Sequence, residues 1–463
     1  MKQLIRLCCA AVLLAFYHLA AAAGAPAGID DSQWQQIQAL IQQDQAANQA
    51  TNQAPAKKNR QPKALNPASE VKLTANEGAA DDQFGYSVAL DGDHLVVGSR
   101  WATVDGNINQ GAVYVFTYDG ANWVEKQKLT ADDGKIYDQF GYSVTLDGEH
   151  LVVGAYAANI GNNRKQGAVY TFAYEGMNWV EKQKITASDG QKFQRFGNAV
   201  ALDDNRLLVG AELTNIDGNN NQGAAYLFAY DGTSWAEQKK LTAITGKEQD
   251  RFGYSVALNG DRLLVGAPYA DTHGNFNQGA AYVFTSDGAN WADGQELTIA
   301  NDSPLSYFGT SVALDGGHLL VGAPGARIGS NSYQGGVYYF TNNGTNWSQK
   351  QILSANDGAE SDYFGIAVAL AGNQLLVGAS NANENKGIAY EFAYIGVTWL
   401  EKQKLTADNG MADDEFGHAL ALDGNHVLVS ACSADINGKQ NQGAVYVYQN
   451  HTYNFMSSFE DGE

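Results

Sequence analysis

The sequence predicts an all-β protein: a seven-bladed β-propeller of four-stranded antiparallel blades, preceded by a signal peptide, a short N-terminal helix and a linker. Three observations point there. A Phe-Gly pair recurs at Phe84, Phe140, Phe196, Phe252, Phe308, Phe364 and Phe416, at intervals of 56 residues five times and then 52. Each copy holds short runs of β-branched and aromatic residues, and Asp-Gly or Asn-Gly pairs stand where those runs must turn back. A period this long and regular means one supersecondary unit repeated, and strand-rich units of about 40–50 residues are typical of propeller blades.

The elements follow in chain order. Met1 to Ala23 carries Lys2 and Arg6, an apolar run from Leu7, and Ala21-Ala22-Ala23 as a small-residue cleavage site, so it reads as a bacterial-type secretory signal. Cys8 and Cys9 lie ahead of the apolar run and leave with the signal, and the mature chain keeps one cysteine, Cys432. No internal disulfide can then form, and stability must come from the core. From 24 to 68 a capping-box start at Asp31-Ser32 and the spacing of Trp34, Ile37, Leu40 and Ile41 predict a short amphipathic helix. A basic, low-complexity linker with Lys57, Lys58, Arg60 and Lys63 follows it.

Residues 69–463 form the repeat domain. In the first copy Ser87-Val88-Ala89-Leu90 is strand A, Asp91-Gly92 the hairpin turn and His94-Leu95-Val96-Val97 strand B. Ala112 to Phe116 is strand C, Asp119-Gly120 turns it, and Trp123 to Leu129 is strand D. Glu125, Lys126 and Lys128 on strand D suit an outer edge, where charge blocks edge-to-edge pairing. The ends complement each other. Glu70-Val71-Lys72-Leu73-Thr74 matches the back half of a strand D but precedes the first Phe-Gly, and Asn454-Phe455 supplies a front half. The outer strand of blade seven is therefore expected to be composite, closing the ring with both ends of the domain.

These copies resemble the FG-GAP repeat of integrin α-subunit propellers, and more closely the secreted bacterial proteins made of the same repeat. Phe-Gly stands in all seven, Gly-Ala-Pro survives at Gly266-Ala267-Pro268 and Gly322-Ala323-Pro324, and Gly98-Ser99, Gly154-Ala155, Gly210-Ala211 and Gly378-Ala379 keep the position. The resemblance implies a propeller and a binding or adhesion role. It also implies calcium loops in the A–B hairpins, but Asp91-Gly92, Asp147-Gly148, Asn259-Gly260 and Asp423-Gly424 are too short to converge enough oxygens, so calcium is not carried over to them. Asp217-Gly218-Asn219 and Asp435-Ile436-Asn437-Gly438, in the B–C loops, leave room for a weak Ca2+ site; otherwise no cofactor and no metal are expected.

Composition narrows the function. The net charge is −21 over 463 residues, and only 17% of them are charged. Phosphate binding needs clustered basic groups, so nucleic acid is excluded as a partner. No other apolar run approaches the roughly 18–20 residues needed to cross a bilayer. Residues repeated at the same place in most blades read as structural. The histidines after the A–B turn (His94, His150, His318, His426) are expected to face solvent, and the tryptophans opening strand D to pack between blades. Asp82, Asp138, Asp250, Asp362 and Asp414 are expected to accept backbone N–H bonds ahead of Phe-Gly, and the glutamines before strand C to hold their loops.

His273 and His418 are not repeated, and neither sits at a metal-type spacing; no nucleophile elbow, phosphate loop or zinc signature appears. In a four-stranded blade the D–A and B–C connections share one face. On it the B–C loops carry the unrepeated Arg100, Trp101, Tyr156, Tyr269, Phe276, Arg327 and Tyr333, residue types that anchor interfaces. Blade six has a loop, Gly378 to Gly387, four residues shorter than Gly98 to Gly111, which predicts a notch. The expectation is an exported, monomeric binding scaffold at the periplasm, cell surface or outside the cell, recognising a protein or carbohydrate. The alternatives are a polysaccharide-active enzyme using carboxylates near the propeller axis, and a structural envelope component held through the Trp34 helix.

Overall fold

A computed structural model of the protein describes residues 70–449 apart from 289, 293, 300–303 and 345. The signal peptide, the Trp34 helix, the linker and Asn454-Phe455 lie outside the described residues. Seven four-stranded antiparallel sheets follow one another. In blade one strands A to D are Phe84–Asp91, His94–Ser99, Ala112–Tyr118 and Trp123–Leu129, paired in that order. Strand A of every blade lines one axial channel of about 270 Å³, walled by aliphatic side chains such as Val88, Leu146, Leu202, Leu258, Leu314, Leu370 and Leu422. The sheets are therefore the blades of a propeller.

Blade seven is the exception that closes the ring. Its order is Phe416–Leu422, His426–Ala431, Ala444–Gln449 and then Glu70–Leu73, with Glu70 opposite Tyr448 and Leu73 opposite Val445. The N-terminal half of the expected composite strand is thus in place; its C-terminal half falls outside the described residues. Leu73 is buried with Phe84, Val445 and Val447. The Tyr448 hydroxyl donates to Glu70 Oε2 at 3.1 Å.

The core sits between blades. Val96, Val113, Val115 and Leu129 of blade one are buried with Phe140, Leu151 and Tyr170 of blade two. Within blade two Phe140 meets Tyr170 and Phe172 edge-on at 5.5 and 6.1 Å, and the same trio recurs around Phe84, Phe196, Phe252, Phe308 and Phe364. The repeated polar residues are clasps from each blade to the next. Ser87 Oγ donates to the Gly141 carbonyl at 2.9 Å, and Gln127 holds both the N–H and the carbonyl of Trp179 at 2.8 and 2.9 Å. Tyr170 donates to Asp133, which Lys184 also reaches. Gly98 allows the close approach: a Cβ there would lie 2.1 Å from the Gly141 carbonyl oxygen. At the seam Ser430 takes this place, and its Oγ accepts from Ala419 N at 2.9 Å.

The aspartates ahead of Phe-Gly accept the backbone bonds expected of them, from Ala79, Lys135, Lys247, Ala359 and Met411 at 2.6–2.9 Å. Where blade three has Gln194, its Oε1 accepts from Gln191 N at 3.0 Å. Gln110, Gln166 and Gln334 hold the B–C loops by accepting from Asn107, Asn163 and Asn331. The expectation for the histidines needs correcting. His94 packs against Tyr174 and Trp179 of the next blade at 5.0 and 6.0 Å, and His426 is buried against Tyr118 and Trp123. The A–B turn leaves them at the blade interface, where a flat ring can fill the gap beside the tryptophan that opens strand D.

Candidate functional site at the axial mouth

Strand A begins where strand B ends, with Phe84 opposite Ser99, and strand C begins where strand D ends, with Val113 opposite Leu129. The B–C and D–A connections therefore leave every blade on one face, and the two hairpin turns on the other. On that face three positions of each blade converge: the residue before Phe-Gly, the residue after it, and the residue that follows strand B. Their spacing is i, i+3 and i+17. In blade one these are Gln83, Tyr86 and Arg100, and Arg100 Nε donates to Gln83 Oε1 at 2.8 Å. In blade three Arg195 Nη1 donates to Glu212 Oε1 at 2.8 Å. In blade seven the Cys432 thiol donates to Glu415 Oε2 at 3.7 Å. The backbone repeats while the chemistry at these positions changes.

Side chains from these positions, with Trp101 and Tyr269 one residue after the third, form an arc of rings and guanidinium groups around the top of the channel. The Arg100 guanidinium lies 3.6 Å from the Tyr86 ring and 4.5 Å from that of Trp101. Tyr86 packs on His418 on one side and Tyr142 on the other, each at 5.0 Å. Tyr142 lies 3.9 Å from Tyr156, and Arg195 covers Tyr156. Arg251 covers Tyr269 at 4.2 Å, and Tyr269 also meets Tyr254 and Tyr307. These rings are half-buried.

Four of the residues expected in the binding face, Arg100, Trp101, Tyr156 and Tyr269, thus fall in this arc. Tyr333 stacks on Tyr363 at 5.8 Å, away from those four but next along the ring. Phe276 is 62% exposed, and Arg327, also exposed, donates to Ser332 Oγ. Among the described residues neither makes a ring contact with the arc. The short loop of blade six turns left-handed at Ala382–Asn385, with Asn383 and Glu384 at φ 55 and 60. The B–C carboxylates are engaged locally: Asp435 Oδ1 accepts from Asn441 N and Asp271 Oδ1 from Asn277 N, at 2.9 and 2.8 Å.

The reading of the sequence missed Tyr86, Tyr142, Tyr254, Arg195, Arg251 and Glu212. Their signal was present as variation: each stands next to an invariant Phe-Gly or follows the repeated end of strand B. Electrostatically the mouth is mixed. Glu212 is buried between Arg195 and Arg251, at 2.8 and 3.7 Å. Burial lowers His418 to about 4, with the Arg100 charge acting in the same direction, and pushes the Cys432 thiol up to about 12. Such a thiol stays protonated and is a poor nucleophile.

The repeat identifies the class: this is a propeller of FG-GAP repeats. The FG-GAP repeat family model matches residues 68–116, 123–172, 179–228, 235–284, 291–340, 347–392 and 399–448, and the chain belongs to that family. Each matched unit begins in one blade's strand D and ends in the next blade's strand C, the same offset that leaves Glu70–Leu73 to close the ring. Human integrin alpha-7 is 31% identical over 176 residues, 35% of this chain and 15% of that protein. Integrin alpha-7 of Rattus norvegicus is 34% identical over 118 residues, 24% and 10% of the two chains. Integrin alpha-3 of Cricetulus griseus is 24% identical over 255 residues, 48% and 23%. The chain thus spans less than a quarter of the length of these relatives. Among the described residues no helix is long and apolar enough to cross a membrane.

Proposed function

We propose that this propeller is an exported ligand-binding or adhesion module, and that a protein or carbohydrate docks across its axial mouth on the Phe-Gly face. One observation carries the reading. At three positions per blade, and at the residue after the third, the fold keeps the backbone and varies the side chain, and the variants include Tyr, Trp and Arg side chains left half-exposed around a single opening. Such residues supply large contact area at low entropic cost, and both sugar faces and protein side chains stack on them. The family likeness to integrin α-subunits supports an extracellular binding role.

The test is binding of the purified protein to arrays of glycans and matrix proteins. A variant with Trp101→Ala, Tyr156→Ala and Tyr269→Ala should lose the bound ligand at an unchanged melting temperature. A variant with Asp93→Asn and Glu149→Gln, at exposed turns on the opposite face, should keep it. The reverse pattern places the ligand on the wrong face for this proposal and overturns it.

A further inference from the structure

Blade seven fills the three converging positions with Glu415, His418 and Cys432. Among the described residues these form the one cluster of three His, Cys or carboxylate groups whose ligand atoms all lie within 4.8 Å of one another. His418 Nδ1 stands 3.6 Å from Glu415 Oε2, and Cys432 Sγ 3.7 Å from the same oxygen. A tetrahedral zinc ion with ordinary Zn–N, Zn–O and Zn–S bonds has N···O and S···O edges of about 3.4 and about 3.6 Å. Both edges are therefore already close to those a bound ion requires, and the third, from Cys432 Sγ to the imidazole, lies within 4.8 Å.

We propose that Glu415, His418 and Cys432 bind a thiophilic divalent cation of the zinc type at the rim of the axial mouth. This inference is independent of the ligand-docking reading, since it rests on one blade's donor set and not on the aromatic arc. Three features select that chemistry. A thiolate and an imidazole favour zinc over calcium or magnesium, which want six or more oxygen donors. Once the ion displaces the Cys432 proton to solvent, thiolate and carboxylate together carry the two negative charges that balance a divalent ion. Cys432 is 1% exposed, whereas Glu415 and His418 keep 41% and 26% of their side chains open, so the ion has a path from the mouth and a fourth position facing it.

The other blades serve as internal controls, because the same geometry carries Gln83, Tyr86 and Arg100 in blade one and Arg195, Asn198 and Glu212 in blade three. No spacing rule would find the donors, since they are separated by two and by thirteen residues and meet only because the A–B hairpin folds back. Arg100 is the opposing group. Its guanidinium lies on the Tyr86 ring that packs against His418, and a fixed positive charge there repels a cation at the cluster.

The experiment uses the full chain carrying Cys8→Ser and Cys9→Ser, which leaves Cys432 as the single thiol, stripped of metal and kept reduced. Titration with Co2+, followed optically, should show one equivalent bound with a thiolate-to-cobalt charge-transfer band and intense tetrahedral d–d bands. Zn2+ should displace it. Cys432→Ser should abolish the charge-transfer band, and His418→Ala and Glu415→Gln should weaken binding about tenfold or more, with circular dichroism reporting an intact fold. Arg100→Gln should tighten binding, an effect that mere loss of structure does not produce. Absence of stoichiometric Co2+ and Zn2+ binding by the folded parent chain overturns the proposal. So does a Glu415→Gln or Cys432→Ser protein that binds as the parent does.

Discussion

If Glu70–Leu73 closes the ring, then Leu73, which lies far from Val445 in sequence, must behave like a core residue of blade seven. Leu73 is 7% exposed and opposes Val445; its counterpart in blade one, Leu129, is 4% exposed and opposes Val113. Truncating a buried leucine to alanine costs about 2–5 kcal/mol, depending on how far the site can collapse. Leu73 borders the last strand of the seam, where neighbours can relax, so Leu73→Ala is expected near the low end, about 2–3 kcal/mol. Leu129→Ala, held on both sides by complete blades, is expected at about 3–4 kcal/mol. Guanidinium unfolding followed by tryptophan fluorescence reads both as a fall in midpoint. A Leu73→Ala protein with the parental midpoint, beside a Leu129→Ala protein that is clearly destabilised, would refute the closure.

Four further substitutions have expected outcomes. Gly98→Ala puts a methyl group 2.1 Å from the Gly141 carbonyl oxygen and should lower the unfolding midpoint by the equivalent of about 1–3 kcal/mol. Ser430→Gly at the seam loses only the bond from Ala419 N and should cost about 1 kcal/mol; equal effects would argue against the difference drawn between these junctions. Asp250, raised by burial from 3.8 to about 6, binds its proton more tightly folded than unfolded, so its contribution is complete below pH 3.8 and is lost as pH rises to about 6. Asp250→Asn keeps an acceptor for Lys247 N, as Gln194 does for Gln191 in blade three, and should match the parent at pH 4 yet exceed it at pH 7 by on the order of 1–3 kcal/mol; identical pH–stability curves would show that the carboxylate is not desolvated. Arg251→Ala leaves Glu212 with Arg195 alone and should lower the melting temperature by a few degrees at low salt; no change would mean that the 3.7 Å pair is idle.

The ring was legible because its signals are local and repeated. Phe140 and Asp138 announce themselves by period, and Glu70 to Thr74 by matching a strand D that it precedes. What stayed hidden depends on neighbours. His94 follows a turn and reads as solvated, yet the next blade supplies Tyr174 and Trp179 against it. The axial site was half visible, through Arg100, Trp101, Tyr156 and Tyr269. Tyr86, Arg195 and Glu415 escaped notice because repetition served as a filter for structural roles, and their neighbours repeat perfectly. Variation beside an invariant pair, in a ring that brings seven copies of one position to one opening, is the better signal.

The offset between repeat and blade also orders events in time. Glu70 to Leu73 is the first part of the ring to leave the ribosome and the last to find its partner, since Val445 to Tyr448 follows more than 370 residues later. Six blades can assemble on their own as the chain emerges. The seventh waits for both ends, so the strand Glu70–Leu73 stays unpaired until Val445 to Tyr448 has been made. Until the final residues arrive, that strand is available to any exposed sheet edge nearby, including the edge of a second nascent copy. A chaperone that holds the leading segment would guard against this exchange.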